Sequence, residues 1–297
     1  AALFTISANV AAAIDARAAM LGREVDYDLE AHTTRHFREA LADDPRFVVP
    51  EVYGDYSTHN ILCLSYEEGV HISDPSVVSL SQERRNFLGR AIMELCCREV
   101  FEWNKMQTDP NFGNYLMRVG DDGKDKIVLL DFGAIRDFDD EVLGPGREMI
   151  RAAWLHDSER LFGAMRALEF LDGEVPRRLL DDFAALCFEA IEALQDPDRF
   201  PPPKSVVNDK GEYLWGESNL PNRVMNRASR TALSVHFDVP PKEFIFLFRK
   251  LLGAYTFLHV IKAQVRGNTI LEPFIHMRED EDRERVAQKI NGQAADS

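Results

Sequence analysis

Apolar residues return every three or four positions through most of the second half of the chain, which is the spacing of an amphipathic α-helix. The pattern predicts helices over residues 139–155, 157–170, 175–195, 222–235, 240–266 and 268–290. Residues 196–221 are rich in proline and interrupt the helical pattern as a surface loop. The charged end of the chain, 278–297, is expected to fray. The second half is therefore predicted to be almost entirely helical.

The first half of the chain mixes helical segments with short strands. The helical pattern covers 6–20 and 24–43, and Ser81 stands where the N-cap of a long helix to residue 103 is expected. Short alternating or apolar runs predict strands over 47–53, 60–66, 115–119 and 126–130. A turn containing Gly and Asp joins the last two strands as a hairpin. This order of elements predicts an α+β fold dominated by helices.

The charge of the chain excludes one class of function. Acidic residues outnumber basic ones 50 to 35, and the formal net charge is −15. A nucleic-acid-binding protein needs a basic face to replace phosphate counterions, so no nucleic-acid partner is expected. No run of about 18 apolar residues is present, so no membrane-spanning helix is expected either.

Two short segments carry residues suited to phosphoryl transfer. The loop Gln-Thr-Asp-Pro-Asn-Phe-Gly-Asn begins at Gln107, and Asp131-Phe-Gly follows the predicted hairpin. Asp109 and Asn114 are five residues apart, as are the loop aspartate and the metal-binding asparagine of kinase catalytic loops. Mg²⁺ prefers oxygen ligands such as the amide of Asn114 and the carboxylate of Asp131. Each motif alone also fits an ordinary turn, but their order and spacing favour the functional interpretation.

The same segments resemble a known family. Q-T-D-P-N-x-x-N followed by L-L-D-F-G-A resembles the UbiB atypical kinases, and in particular their mitochondrial branch linked to coenzyme Q biosynthesis. Upstream, residues 24–31 resemble the E-x-D-Y-x-x-E-A segment of that family. The resemblance implies a protein-kinase-like fold with a partial N-lobe over 1–66 and a mostly helical C-lobe over 67–277. The charged composition of 278–297 predicts a flexible tail after them.

The resemblance also implies roles for individual residues. Glu30 matches the helix glutamate that pairs with a strand lysine, and Glu24 and Asp26 match a Glu-x-Asp that faces the family's N-terminal extension. Without the resemblance, Glu24 and Glu30 would be read as a solvated helix face. The segment that would contact adenine, the hinge, comprises Leu64, Ser65, Tyr66 and Glu67. Its first two residues stand where the family usually has Met-Glu or Thr-Glu.

In the catalytic loop, the resemblance implies that Asp109 is the catalytic aspartate and that Asn114 and Asp131 are Mg²⁺ ligands. The implied cofactors are ATP and Mg²⁺. Two family or kinase features are not found in the sequence. No lysine precedes Lys105, so the ATP-anchoring lysine and its phosphate loop are missing, and no Ala-Pro-Glu ends an activation segment. The second absence favours a small-molecule or lipid-linked substrate, or ATP hydrolysis.

Three functions stay open from the sequence. The leading hypothesis is an atypical kinase-like ATPase that supports ubiquinone biosynthesis, with lipid or isoprenoid quinone intermediates and coenzyme Q biosynthetic proteins as partners. The resemblance places such a protein in mitochondria, peripheral to the inner membrane, although a plastid or bacterial origin is not excluded. The alternatives are a non-catalytic pseudokinase scaffold or lipid-binding regulator, and a small-molecule phosphotransferase. Whether this chain is an enzyme is therefore undecided from its sequence.

Overall fold

The computed structural model describes residues 26–109, 111–169, 175–232 and 242–295. The chain forms two compact units: it leaves the first after His71, returns to it at Phe112 and leaves it again after Ile135. The predicted N-lobe ends at residue 66, with everything from 67 to 277 assigned to the C-lobe. The two units differ from these predicted lobes mainly because the hairpin within 112–135, predicted to lie in the C-lobe, belongs to the first unit. The predicted helix over 6–20 lies outside the described residues.

The described elements alternate helices with very short strands. In chain order they are α1 (Tyr27–Ala40), β1 (Phe47–Val48), β2 (Val70–His71), α2 (Pro75–Val78), α3 (Gln82–Cys97), β3 (Lys105–Gln107), β4 (Tyr115–Arg118), β5 (Lys126–Leu129), β6 (Ile135–Asp137), α4 (Asp140–Leu155), α5 (Ser158–Ala167), α6 (Arg177–Ala190), β7 (Tyr213–Leu214), α7 (Trp215–Ser218), α8 (Leu220–Ala232), α9 (Lys242–Val260), β8 (Gln264–Val265), α10 (Asn268–Ile275) and α11 (Glu279–Ala295). The predicted helix-rich α+β class is confirmed.

The first unit is built on a four-stranded sheet in the order β1-β5-β4-β2. The β4–β5 hairpin is antiparallel with Tyr115 opposite Leu129, while β1 runs parallel to β5. Gly123, with a φ of 79°, sits in the hairpin turn in a conformation that glycine adopts without a steric penalty. The hairpin predicted from the sequence is confirmed. The predicted strands over 47–53 and 60–66 shrink to β1 and isolated bridges such as Val52–Leu64.

Helix α1 packs on this sheet unit through its apolar face. Asp26 is the N-cap, and its side chain accepts a hydrogen bond of 3.0 Å from the backbone N–H of Leu29. Phe37 is buried, and its ring lies 5.2 Å from that of Phe132 between centroids. Because Phe132 belongs to the Asp-Phe-Gly segment, this contact anchors that segment to α1.

A long helix follows α2 in the second unit, as the sequence predicts. Ser81 caps α3 by accepting from the N–H of Arg84 at 3.4 Å. After Cys97 the helix continues as a π-helix over Arg98–Trp103 and ends at Asn104, whose φ is 53°. The predicted boundaries hold, but the apolar spacing does not reveal the change to the wider π turn, which is rare and often lies at functional sites.

The core of the second unit is formed around α9. Trp215, Tyr255 and Leu258 are fully buried, and the Trp215 and Tyr255 rings lie 4.7 Å apart between centroids. The Tyr255 hydroxyl donates a 2.6 Å hydrogen bond to the Ala190 carbonyl. In this unit β3 pairs with β6 and β7 pairs with β8 in two short sheets. Among the described helices, none is long and apolar enough to cross a lipid bilayer.

A buried charge cluster ties α11 to α4. The carboxylate of Asp282 is 0% exposed and accepts hydrogen bonds from Arg147 at 2.6 and 2.8 Å and from Arg151 at 2.8 Å. Both guanidinium groups are buried as well. Residues 279–295 form a helix, in agreement with the helical pattern predicted to residue 290, although the sequence also predicts a flexible tail from residue 278. The charged pattern of this segment suggested exposure. It could not reveal that Asp282 is buried, because the two arginines that bind Asp282 lie more than 130 residues earlier in the chain.

Acid is expected to destabilise this part of the protein. Burial acts to raise the pKa of Asp140, but hydrogen bonds from Arg147 and Asn104 outweigh it and leave the pKa below its ordinary value. Burial also acts to raise the pKa of Glu279, but hydrogen bonds from His276 and Arg160 outweigh it and leave this pKa below its ordinary value as well. A lowered pKa in the folded state means that unfolded chains bind more protons in acid. The stability that both carboxylates contribute is therefore lost as the pH falls.

The measurement is the thermal unfolding midpoint between about pH 6 and pH 3, a window that contains the ordinary carboxyl pKa of about 4. The wild-type midpoint is expected to fall over this window. The double variant Asp140→Asn/Glu279→Gln should start lower at pH 6 and fall less steeply. Equal slopes for the two proteins would contradict the assignment of these carboxylates as acid-sensitive groups.

Candidate functional site

The β4–β5 hairpin brings Asn114 and Asp131 to the same end of the first unit's sheet. Asn114 precedes β4, and its carbonyl accepts a 3.0 Å hydrogen bond from the N–H of Leu130, which follows β5. Asp131 is the next residue. Asn114 is buried and Asp131 is partly exposed. The hairpin register therefore places the two predicted Mg²⁺ ligands on adjoining ends of paired strands, although they are 17 residues apart in the chain.

The turn after Asp131 fixes that carboxylate. Its Oδ1 accepts a hydrogen bond of 2.9 Å from the backbone N–H of Gly133. A Cβ at Gly133 would lie 3.3 Å from Glu30 Oε2 and 3.5 Å from Asp131 Oδ1. Glycine at this position therefore allows both carboxylates to approach the turn closely.

Glu30, in the first turn of α1, faces the same turn. Burial, followed by the charge of Asp131, raises the pKa of Glu30, although a hydrogen bond from the N–H of Phe132 acts in the opposite direction. Two carboxylates thus lie close together on the first unit, and the negative charge of Asp131 disfavours the ionised form of Glu30. A cation placed between them would relieve this repulsion. The solvated helix face that Glu30 alone would suggest is not what the structure shows, because the side chain is half-buried.

The predicted hinge segment is held by polar contacts within the first unit. The N–H of Ser65 donates to the Glu51 carbonyl at 2.8 Å, and the Ser65 hydroxyl donates to Glu67 at 2.8 Å. Arg118 on β4 binds the other oxygen of Glu67 at 2.7 Å. Tyr66, which lies between Ser65 and Glu67 in the chain, is 89% exposed. Glu67 is thus a structural anchor here, while the exposed Tyr66 ring is free of the core.

Three other residues are predicted to lie at or near the site: Leu64, Asp26 and Glu24. Leu64 forms an isolated antiparallel bridge with Val52 and is partly buried. Asp26 uses its carboxylate as the N-cap of α1, which accounts for an acidic residue at that position. Glu24 lies outside the described residues. The proposed contact of Asp26 with an N-terminal extension stays a prediction.

Asp109 belongs to the second unit, in the loop after β3. Its backbone N–H donates a 3.0 Å hydrogen bond to the side-chain Oε1 of Gln107. The backbone N–H of Gln107 in turn donates to Glu99 at 2.9 Å, and Glu99 binds Lys250 at 2.7 Å. Sequence reasoning missed Glu99 and Lys250. Both residues have charged neighbours in the sequence, Arg98 and Arg249, and the pairing across 151 positions is not visible in any local pattern.

The residues of the first unit suit one kind of metal. In the part of the chain that the structure describes, no three His, Cys, Asp or Glu side chains cluster in a geometry for a protein-only metal site. Mg²⁺ in nucleotide sites needs no such cluster, because water and phosphate oxygens complete its shell around one or two carboxylates. The side chains of Asn114 and Asp131 have hard oxygen atoms of this kind, and a cation beside Asp131 would offset the like charges of Glu30 and Asp131.

The profile of the ABC1 atypical kinase-like domain matches residues 2–165, more than half of the chain. The chain belongs to this ABC1 family. The membership confirms the UbiB-type resemblance drawn from the Gln-Thr-Asp-Pro-Asn loop and the Asp-Phe-Gly segment. Both motifs lie within the ABC1 match, as does Glu30.

Curated ABC1 relatives are similar over most of this chain. The rat protein "Atypical kinase COQ8B, mitochondrial" is 31% identical over 256 residues, 86% of this chain and 45% of its own length. The Saccharomyces cerevisiae protein "Atypical kinase COQ8, mitochondrial" is 31% identical over 233 residues, 78% of this chain and 43% of its own length. The chain therefore spans less than half the length of these curated relatives.

A solved structure supports the fold of this ABC1 chain. It is the Mycobacterium tuberculosis protein described as the Rv3197–erythromycin complex, with a TM-score of 0.59 and 21% identity. The match covers 86% of this chain and 59% of the other. Together with the family match, it confirms the predicted kinase-like α+β fold.

Proposed function

We propose that this chain forms the metal and nucleotide site of an atypical kinase-like ATPase. One observation carries the proposal: Asn114 and Asp131 stand at adjoining hairpin ends, and the Glu30 carboxylate lies close enough to Asp131 for its pKa to be raised. An amide oxygen, a carboxylate and local negative charge are the features that a Mg²⁺–phosphate group requires. ATP and Mg²⁺ are therefore the proposed cofactors.

The proposed chemistry divides the work among three residues. Asn114 and Asp131 hold Mg²⁺, which when bound neutralises charge on the phosphates of ATP. Asp109 accepts the proton of the attacking hydroxyl or water, the role of the loop aspartate in kinase-type sites. Only residues 134–139 separate Gly133 from α4, and this connection is too short to form a long activation segment that binds a peptide. The proposed nucleophile is a hydroxyl group of a small or lipid-linked acceptor, or water.

The proposed biological role follows from the family branch. The resemblance to the coenzyme Q branch and the two mitochondrial relatives support a kinase-like role in ubiquinone biosynthesis in mitochondria. Isoprenoid quinone intermediates, coenzyme Q biosynthetic proteins and a peripheral membrane contact are the proposed partners. Co-purification of the complete gene product with mitochondrial inner membranes would test the location, and recovery in another compartment would contradict it.

Asp131→Asn is expected to abolish Mg²⁺-dependent nucleotide binding. The change removes the charge that holds the metal and keeps the shape of the side chain. The measurement is the thermal unfolding midpoint of the complete gene product with Mg²⁺ and a non-hydrolysable ATP analogue. At a ligand concentration of 100 times Kd, binding stabilises wild type by about 2.7 kcal/mol, and the variant should show no such stabilisation.

The matched control is Asp121→Asn, the same substitution at an exposed aspartate in the β4–β5 turn. It should shift with Mg²⁺-nucleotide as wild type does. Absence of any shift in wild type would overturn the ATPase proposal and favour the non-catalytic scaffold. A shift that persists in Asp131→Asn would remove Asp131 from the metal site and leave the nucleotide proposal without its ligand.

A further inference from the structure

Glu99 is a buried carboxylate whose two oxygens have different partners. It is 2% exposed and lies in the π-helix over Arg98–Trp103. Oε1 accepts a hydrogen bond of 2.7 Å from the ammonium group of Lys250 on α9. Oε2 accepts a 2.9 Å hydrogen bond from the backbone N–H of Gln107. All three residues belong to the second unit, so one side chain joins the core helix α9 to the strand that leads into the loop of Asp109.

The π-helix explains how Glu99 can reach Gln107. The wider π turn and the left-handed Asn104, with φ of 53°, reverse the chain within a few residues, and β3 then runs back past the helix end. The N–H of Gln107 therefore meets a carboxylate only eight positions earlier. A π turn is less stable than an α turn and often marks a functional position.

The contact continues from Gln107 to the loop. Its side-chain Oε1 accepts the 3.0 Å hydrogen bond from the N–H of Asp109, and both Gln107 and Thr108 are buried. Lys250, Glu99 and Gln107 thus form a continuous chain of hydrogen bonds that ends on the backbone of Asp109. We infer that Lys250 and Glu99 are positioning residues for Asp109, an inference that rests on the catalytic role proposed for that aspartate.

Stability alone gives a poor account of this pair. A buried ion pair must recover the large cost of removing two charges from water, and well-packed apolar residues of similar volume are often as stable or more stable. Burial raises the pKa of Glu99, while the charge and hydrogen bond of Lys250 and the Gln107 N–H counter that rise. What an apolar pair cannot do is accept the hydrogen bond of Gln107. The acceptor function therefore distinguishes a positioning role from a packing role.

Two double variants separate these roles in the complete gene product. Glu99→Leu/Lys250→Met keeps the volume and removes both charges and the acceptor for Gln107. Glu99→Gln/Lys250→Met also removes both charges but keeps an amide oxygen that can accept from Gln107. The first is expected to lower kcat for ATP hydrolysis by about 10- to 100-fold with little change in nucleotide affinity, because small displacements of a catalytic group have effects of this size. The second should stay within a few-fold of wild type.

Hydrogen exchange gives a readout that needs no catalysis. The backbone amides of 104–109 should exchange faster in the Leu/Met double variant, and at the wild-type rate in the Gln/Met double variant. Glu102→Gln, at an exposed position of the same π-helix, is the matched control and should change neither kcat nor exchange. These measurements also show whether a variant that loses activity has kept its fold.

The outcomes distinguish this inference from the proposed function. An active wild type whose kcat and loop exchange are unchanged in the Leu/Met double variant would overturn the positioning role. Equal losses in both double variants would show that charge or packing matters, and not the acceptor, and would also overturn it. A wild type that neither binds nor hydrolyses ATP would overturn the proposed function and the catalytic role of the contact. Exchange would then report whether Glu99 still anchors the loop.

Discussion

Asp282→Ala is expected to lower the free energy of unfolding by about 3–5 kcal/mol, the range measured when one partner of a buried ion pair is removed. Asp282 is fully buried and binds two buried guanidinium groups, those of Arg147 and Arg151. Its removal leaves two positive charges without their main counter-charge in a site that water does not reach. The physical cause is the loss of the carboxylate that the two arginines share, which leaves Arg147 with Asp140 at 2.7 Å and Arg151 with Glu148 at 3.4 Å, and not the loss of packing area, since alanine removes few apolar atoms.

The effect should extend to the loop of Asp109. Besides binding Asp282, Arg147 donates to Asn104 Oδ1 at 2.8 Å, at the end of the π-helix, and to the carbonyl of Val100, within the π-helix, at 3.4 Å. Loss of Asp282 therefore loosens a guanidinium that holds Asn104, which precedes the strand leading to the loop of Asp109. The measurement is the denaturant midpoint together with hydrogen exchange over 100–109.

Asp280→Ala is the matched control for Asp282→Ala. Asp280 lies in the same first turn of α11 and is exposed. Both aspartates interact with the helix dipole, so the control cancels that contribution, which amounts to about 0.3–1 kcal/mol. Asp282→Ala must therefore unfold at a much lower denaturant concentration than Asp280→Ala. Coinciding midpoints would contradict the buried network.

Gly267→Ala is expected to lower the free energy of unfolding by about 3 kcal/mol, the upper part of the usual range for overpacking. An ideal Cβ at this position overlaps the carbonyl oxygen of Ala193 and lies 2.9 Å from Leu194 Cδ2. The carbonyl is backbone, so it cannot rotate away as a side chain can. Gly267 has φ of −67°, which any residue adopts, and the cost is therefore steric and not conformational.

Gly292→Ala is the control for the methyl group itself. Nothing lies within 4 Å of a Cβ at Gly292, and the residue is inside α11. Alanine should stabilise the helix there by up to about 1 kcal/mol because it has the higher helix propensity. The two variants add the same atoms and are expected to change the urea midpoint in opposite directions. A wild-type midpoint for Gly267→Ala would mean that the Ala193 segment moves freely.

Local patterns in the sequence are sufficient for several features of this protein. The Ser81 cap and the apolar period predict the helix to residue 103, and the Gly/Asp turn between two apolar runs predicts the β4–β5 hairpin. Both depend on interactions between neighbouring residues, so the sequence alone specifies them. The spacing of Asp109 and Asn114 and the Asp-Phe-Gly segment likewise identify the family, because these motifs are contiguous.

Other features depend on partners that are distant in the chain. The meeting of Glu30 with Asp131, which raises the pKa of Glu30, joins residues about one hundred positions apart. The Glu99–Lys250 pair spans 151 positions, and no periodicity links its members. The hairpin of 112–135 joins the first unit because β5 pairs with β1 and β4 pairs with β2, both of which lie far from it in the chain. Each of these needs the folded chain, since the contact energy comes from groups that the local pattern cannot bring together.

The charged end of the chain shows the division most clearly. Its sequence correctly indicated a helical pattern to residue 290, but its high charge suggested exposure and fraying. The sequence by itself determined the propensity for a helix, because propensity is a property of neighbouring residues. Only the tertiary structure decided that Asp282 is buried, because a carboxylate leaves water only where groups such as Arg147 and Arg151 replace its hydration.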